Sequence, residues 1–390
     1  MHPLNTLHRL QSIRSELGEV YANQLLFTFA ISLVGVFLPV YVVQLHFPFA
    51  AAIAFLAAIW SGIAFLSPVA ASLASRIGLK HTILLSTPLQ VAFLAFLVFF
   101  PPAELPLLLA IGFLGGLSDA LYWTALNIEF VRNADRLNRV KEVGTLIALP
   151  RFAAILAPVL AGALLAAAGF PALFGIAALL LLGSALPLFL SQDFRPARAS
   201  LRSRLSVVWR GHSPTLGAAS AARFFLQGTV LMAEAVLWPL WLFFAFGDLV
   251  VVGLAATLSA AGIALFTLLA SRAKRSLFRA GCALLLLSWL GRALPAFAPE
   301  GAWAFALAPA LALSFLGGLA LTLVNLSIYS DFAAAARRKA EPSAVFREVW
   351  LNAGRIVPAL LVALLFAGPA AGFFVAAAAS VLLLAFPPKR

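Results

Sequence analysis

Four charged residues stand deep inside long apolar stretches: Asp119, Arg151, Glu234 and Arg355. A charge near the centre of a bilayer costs about 2.5–3.5 kcal/mol on insertion scales, so such groups face one another or a cavity. Each lies on a helical stripe. Tyr122 and Trp123 follow Asp119 by three and four residues and share its face. Arg223, Gln227, Glu234, Trp238 and Trp241 form a second stripe, and three full helical turns separate Arg223 from Glu234. Glu348, Asn352 and Arg355 form a third; Gly318, Thr322, Asn325 and Tyr329 a fourth; Gln24, Thr28, Ser32 and Gly35 a fifth. Stripes on five different helices are expected to meet in one central cavity.

Such a cavity binds solutes and exchanges protons. Asp119 and Glu234 are the candidate proton-binding carboxyls, because burial favours the neutral acid. Arg151 and Arg355 would hold an anionic group or release a proton by pairing, and the aromatic rings would meet apolar parts of a substrate. A purely structural arrangement accounts for the same residues, with Asp119 paired to Arg151 and Glu234 to Arg355. Glu142 and Glu348 read as helix-start carboxylates that favour the dipole. Nothing points to an enzyme, a metal or a cofactor. The histidines are His2, His8, His46, His81 and His212, all in tails or connections, and Cys282 stands alone. Neither an HExxH pattern nor a Walker-type loop occurs.

The elements that must position these residues are membrane helices. Hydrophobic residues make up 63% of the 390-residue chain and charged residues 11%, whereas a soluble domain carries about twice that charge. The apolar runs are continuous, as in "AALLLLGSALPLFL" (177–190), so an outer-membrane barrel, with its alternating strands, is excluded. Twelve spans are predicted: 17–44, 48–74, 80–100, 104–131, 142–168, 170–190, 214–246, 248–271, 276–298, 302–331, 344–367 and 368–387. The net charge of +13 is spread over alternate connections rather than one face, which excludes a nucleic-acid surface and follows the positive-inside pattern. Both termini are then cytoplasmic. Residues 1–16 lack the apolar core of a signal peptide; Leu4, Leu7, Leu10, Ile13 and Leu17 predict a short helix on the membrane surface. Spans 3, 6 and 12 carry no central charge, and span 9 only terminal ones, so these four are predicted to be peripheral.

The chain also repeats itself. "FLGGL" at 113–117 returns at 315–319, "VFLPVY" (36–41) matches "VLWPLW" (236–241), "LASR" (73–76) recurs at 269–272, and "KEV" (141–143) answers "REV" (347–349). Order and near-constant offset predict two parallel six-helix bundles, 1–190 and 214–390, joined by a basic linker at 191–213. Pro39 and Pro239 are repeat-equivalent and predict matching bends in spans 1 and 7.

This layout resembles the major facilitator superfamily over nearly the whole chain. "ASLASRIGLK" (71–80) is similar to the family pattern G-x-L-A-D-R-x-G-R-K: Leu73, Ala74, Arg76, Gly78 and Lys80 fit, while Ala71, Ser75 and Leu79 replace Gly, Asp and Arg. The resemblance implies a cytoplasmic gate around Arg76, Lys80, Glu129 and Asp331, with Glu129 as a partner for Arg76. Span 5 places Gly144, Ala153, Ala157, Pro158, Ala161 and Gly162 where the drug/proton antiporters carry a small-residue motif. What it implies is an all-α transporter, monomeric in the cytoplasmic membrane. It would move a small organic or amphipathic solute by alternating access, with proton-coupled export as the mode. An uncoupled facilitator, or a transporter-like receptor or scaffold, is the alternative.

Overall fold

The computed structural model describes residues 19, 22–99, 104–134, 140–189, 193–196, 201, 204–205, 215–270, 276–294, 307–336, 339–365 and 368–388, with the helix path but not the side chains at 130, 132–134, 140–154, 268–270 and 276. The surface helix expected over the first residues lies outside these, as do the side chains of Arg151 and Glu142. Among the described residues there is no strand. Apolar chain in lipid must satisfy its backbone within each segment, which selects helices.

Among the described residues, nine helices are long and apolar enough to cross a membrane by themselves. Twelve segments result because one of the nine divides and two others are shorter or more polar. They are α1 (Ala22–Gln44), α2 (Phe49–Ile77), α3 (Leu79–Val98), α4 (Leu105–Ala134), α5 (140–168), α6 (170–185), α7 (Ala218–Phe246), α8 (Leu249–Ala270), α9 (Ser276–Ala293), α10 (Leu307–Ala336), α11 (Ala340–Leu365) and α12 (Ala370–Leu383). The run from α5 to α6 is broken only at Gly169, whose φ of 73° reverses the chain without a loop. Large apolar side chains such as Phe65, Leu179 and Leu364 face outward, as a lipid-facing surface requires.

Helix pairing recurs when six is added to each helix number. α2 packs on α4 and α8 on α10; α3 packs on α4 and α9 on α10. Across the middle, α5 meets α8 and α11 meets α2. The repeated pentamer explains part of this. A Cβ on Gly116 would stand 2.1 Å from the Ile59 carbonyl oxygen, and one on Gly318 would stand 2.0 Å from that of Ser259. Each half thus uses the second glycine of "FLGGL" to bring two helix backbones together. The small residues of α5 act likewise: Ala157 and Ala161 are fully buried, and Gly253 of α8 lies against the Pro158 carbonyl.

The prolines follow local breaks. In α1, residues 36–37 form a turn and Pro39 opens the second segment, Leu38–Gln44. In α7, residues Ala233–Leu237 form a π-helical turn and Pro239 opens Trp238–Phe246. Glu234 lies in that π turn, a feature frequent at functional positions. Two predicted ends move: α10 runs on to Ala336 and α11 begins at Ala340. Glu348 therefore sits two turns inside α11, not at its start.

The connection of α2 to α3 defines one end of the bundle, here called the basic end. Gly78 has a φ of 109°, and the Asp193 carboxylate occupies the space where a Cβ would project. Asp193 accepts from the Lys80 and His81 backbone N–H groups at 2.9 and 3.0 Å. Its charge thus sits at the N-terminus of α3. Lys80 is buried and pairs with Glu19 at 3.2 Å. Arg204 of the linker pairs with Glu341 of α11. The linker therefore touches both halves.

Candidate functional site

Both ends of the interface between the halves are closed. At the basic end, α4 contacts α10 and α11. There Asn127 donates to Glu348 at 3.0 Å and accepts from the Tyr329 hydroxyl at 3.1 Å. Arg347 donates to Glu348 at 2.6 Å and lies over the rings of Tyr329 and Phe332. At the opposite end, the second segment of α1 packs on that of α7.

Between these ends lies a cavity of about 150 Å³. Its wall comes from α1, α2, α3 and α4 of the first half, with Ala235 contributed by α7. Asp119 faces it, and so do Trp60, Gln90 and Phe93. Asp119 Oδ1 and Gln90 Oε1 are sealed from solvent and have no hydrogen-bond partner among the described residues. A buried polar atom without a partner loses its hydration for nothing, so such atoms call for an explanation. Arg355 stands over the Trp60 ring at 6.0 Å and donates to Asn352 at 3.0 Å. With Glu348, it is the charged group whose field acts on Asp119.

The second half spends its polar groups on itself. Three rungs join α7 to α10: Arg223 to Asp331, Gln227 to Asn325 at 2.7 Å, and Trp238 to Ser314 at 2.9 Å. Glu234 pairs with Arg292 at 2.5 Å and accepts from Ser259 at 2.8 Å. The Arg292 guanidinium is fully buried, 4.5 Å from the Trp238 ring centre and 4.4 Å from that of Trp289. In the first half the gap between α1 and α4 is bridged mainly by rings: Phe27 stacks on Tyr122, Trp123 meets Phe27 edge-on, and the Tyr122 hydroxyl donates to Asn23 at 3.2 Å.

The structure therefore brings together only part of the expected constellation. Asp119, Tyr122, Trp123, Asn352 and Arg355 surround the middle of the first half and its border with α11. Arg223, Gln227, Glu234, Trp238 and Asn325 form intrabundle contacts instead. Glu234 is paired with Arg292, not Arg355. Gln24 is partly buried. Of the expected gate, Asp331 binds Arg223 and Lys80 binds Glu19, Glu129 is buried, and Arg76 is exposed and makes no ion pair with it. Arg292 went unrecognised because it lies in the last turn of α9, where a terminal charge reads as a loop residue. Trp289, one turn earlier on the same face, was the available signal. Asn127, Gln90 and Trp60 carried no mark beyond polarity or size within an apolar run.

Paired helical bundles, a cavity bordered by both and an outer surface of apolar side chains define a multi-pass membrane transporter. The sequence matches the family model of the Major Facilitator Superfamily over residues 20–357, and the chain belongs to that family. Among solved structures it is similar to the human organic anion transporter MFSD10 (TETRAN), with a TM-score of 0.63 and 17% identity, covering 95% of this chain and 98% of that one. At that identity the likeness concerns the fold. No curated protein matches the sequence.

Proposed function

We propose that the protein is a secondary active transporter that moves a small organic or amphipathic solute across the cytoplasmic membrane by alternating access, in the mode of proton-coupled export. The carrying observation is the unpartnered Asp119 oxygen facing a cavity of the first half that Ala235 of α7 borders. A carboxyl so placed alternates between a charged form that binds a cationic partner or Arg355 and a neutral form that crosses the sealed state without uncompensated charge. The closures at the two ends rest on a few side chains and helix tips. Contacts of that kind part without unfolding either bundle, so rocking about the α2–α11 and α5–α8 seams is the expected motion. The positive-inside pattern favours the reading in which the Asn127–Glu348–Tyr329 closure is the cytoplasmic one. The domains 1–190 and 214–390 are the rocking units, and the chain acts as a monomer. MFSD10 is described as an organic anion transporter; here the residues facing the cavity set the expectation for cargo.

Inverted membrane vesicles containing the protein test this reading with ethidium and fluorescein as probes of opposite charge. Accumulation of one probe that stops when the proton gradient is collapsed is the expected result. Flux that ignores the gradient identifies an uncoupled facilitator. A well-folded protein that moves neither probe points to a receptor or scaffold.

A further inference from the structure

The two halves treat one corresponding place in opposite ways. Under the repeat, Val34 corresponds to Glu234, Leu38 to Trp238, and Gly115 to Gly317. Ile59 corresponds to Ser259, because their carbonyls meet the equivalent glycines Gly116 and Gly318. In the second half this place holds the Arg292 guanidinium, framed by Trp238 and Trp289, bound by Glu234 and seated against Gly317. In the first half Phe93 seats against Gly115, and the positions equivalent to Glu234, Trp238 and Ser259 are the shorter or apolar Val34, Leu38 and Ile59. The cavity lies there.

Two of its acceptors lack partners. Asp119 Oδ1 and Gln90 Oε1 are acceptors without partners, and the Gln90 side chain belongs to a residue only 4% exposed. Among the described residues no cationic side chain lines the cavity. Arg355 lies beyond Trp60 and is engaged with Asn352, while Glu348 is held by Asn127 and Arg347. An occupant must therefore bring N–H donors and positive charge to Asp119 and an apolar body to Trp60, Phe93 and the aliphatic wall. A volume of about 150 Å³ admits a body of about benzene size.

We propose that this cavity binds an organic cation, a protonated primary amine or an amidinium on a small apolar body, held by Asp119 and Gln90 much as Arg292 is held in the other half. The inference that this cation is cargo rests on the transporter reading; the binding itself does not. Equilibrium binding to the purified full chain, with no gradient applied, separates the two. Benzylamine and benzamidine are expected to bind saturably at neutral pH. Benzyl alcohol should bind about tenfold more weakly or worse, and benzoate not at all, because only the cations satisfy both acceptors. Asp119→Asn should weaken both cations about tenfold or more and leave benzyl alcohol unchanged. Gln90→Leu, which keeps the carboxylate, should weaken them several-fold and decides the matter if Asp119→Asn fails to fold. The proposal is overturned if neither cation binds saturably, if benzoate binds as well as benzylamine, or if the folded variants bind both cations as the native chain does. Cation binding without gradient-driven flux would sink the coupling and leave this site standing; gradient-driven flux of anions alone would uphold the coupling and overturn the cation as cargo.

Discussion

Replacing Glu234 by leucine is expected to destabilise the protein by about 3–5 kcal/mol, the range found when one partner of a buried ion pair is removed. Two oxygens of Glu234 meet Arg292, at 2.5 and 3.4 Å. At an effective dielectric constant of about 20, opposite charges about 4 Å apart attract by about 4 kcal/mol, which falls within that range. After the substitution the guanidinium stays fully buried, with the Leu313 carbonyl at 3.0 Å and two indole faces for company. The carbonyl and rings offset only part of the loss, since each cation–π contact contributes about 0.5–2 kcal/mol. Arg292→Met should cost less, because Glu234 is 15% exposed at its side chain and keeps Ser259 as a hydrogen-bond partner. The double variant removes both charges and should recover at least about 2 kcal/mol relative to Glu234→Leu alone; that recovery plus the Arg292→Met loss is the coupling energy of the four-variant cycle. Denaturant titration in mixed micelles supplies the four free energies. If Glu234→Leu matches the native stability, or the two single losses simply add, the pair does not hold the second bundle as described.

Other outcomes follow from the packing and the loop. Gly116→Leu and Gly318→Leu should each sharply reduce the folded, monodisperse yield in size-exclusion chromatography, since even a Cβ would stand 2.1 and 2.0 Å from a backbone oxygen; Gly175→Leu, where nothing lies within 4 Å, should not. Asp193→Ala should cost about 1 kcal/mol, the usual loss of a helix N-terminal cap, seen as a lower melting temperature, because two N–H groups at the start of α3 lose their acceptor. Asn127→Ala should loosen the basic-end closure, read as faster labelling of a cysteine introduced at Tyr329 in a Cys282→Ser background.

Much of the architecture was legible in the sequence because lipid allows few solutions. Continuous apolar runs enforce helices, and the repeated "FLGGL" holds Gly116 and Gly318, the two glycines at which helix backbones meet. The turn at Gly169 fell where the spans predicted it. What stayed hidden depends on side-chain direction. Glu234 and Arg223 share a stripe on an ideal helix, yet Arg223 is held by Asp331 of α10 and Glu234 by Arg292 of α9, partners that the stripe alone does not select. Arg292 lies at a helix end yet points inward, which a one-dimensional charge count cannot register. Glu348 looked like a helix-start carboxylate only because α11 begins earlier than its apolar run. Ser75 stands where the family pattern has Asp, and the carboxylate at the start of α3 comes from Asp193, more than a hundred residues away.

The claim that the two bundles must part for transport is tested most directly by tying them together. Cysteines at positions 127 and 329, in the Cys282→Ser background, lie across the basic-end seam where Asn127 and Tyr329 touch. In vesicles moving ethidium, a reducible thiol cross-linker between them should stop flux, and reduction should restore it. Undiminished flux with cross-linking complete would contradict alternating access by this protein.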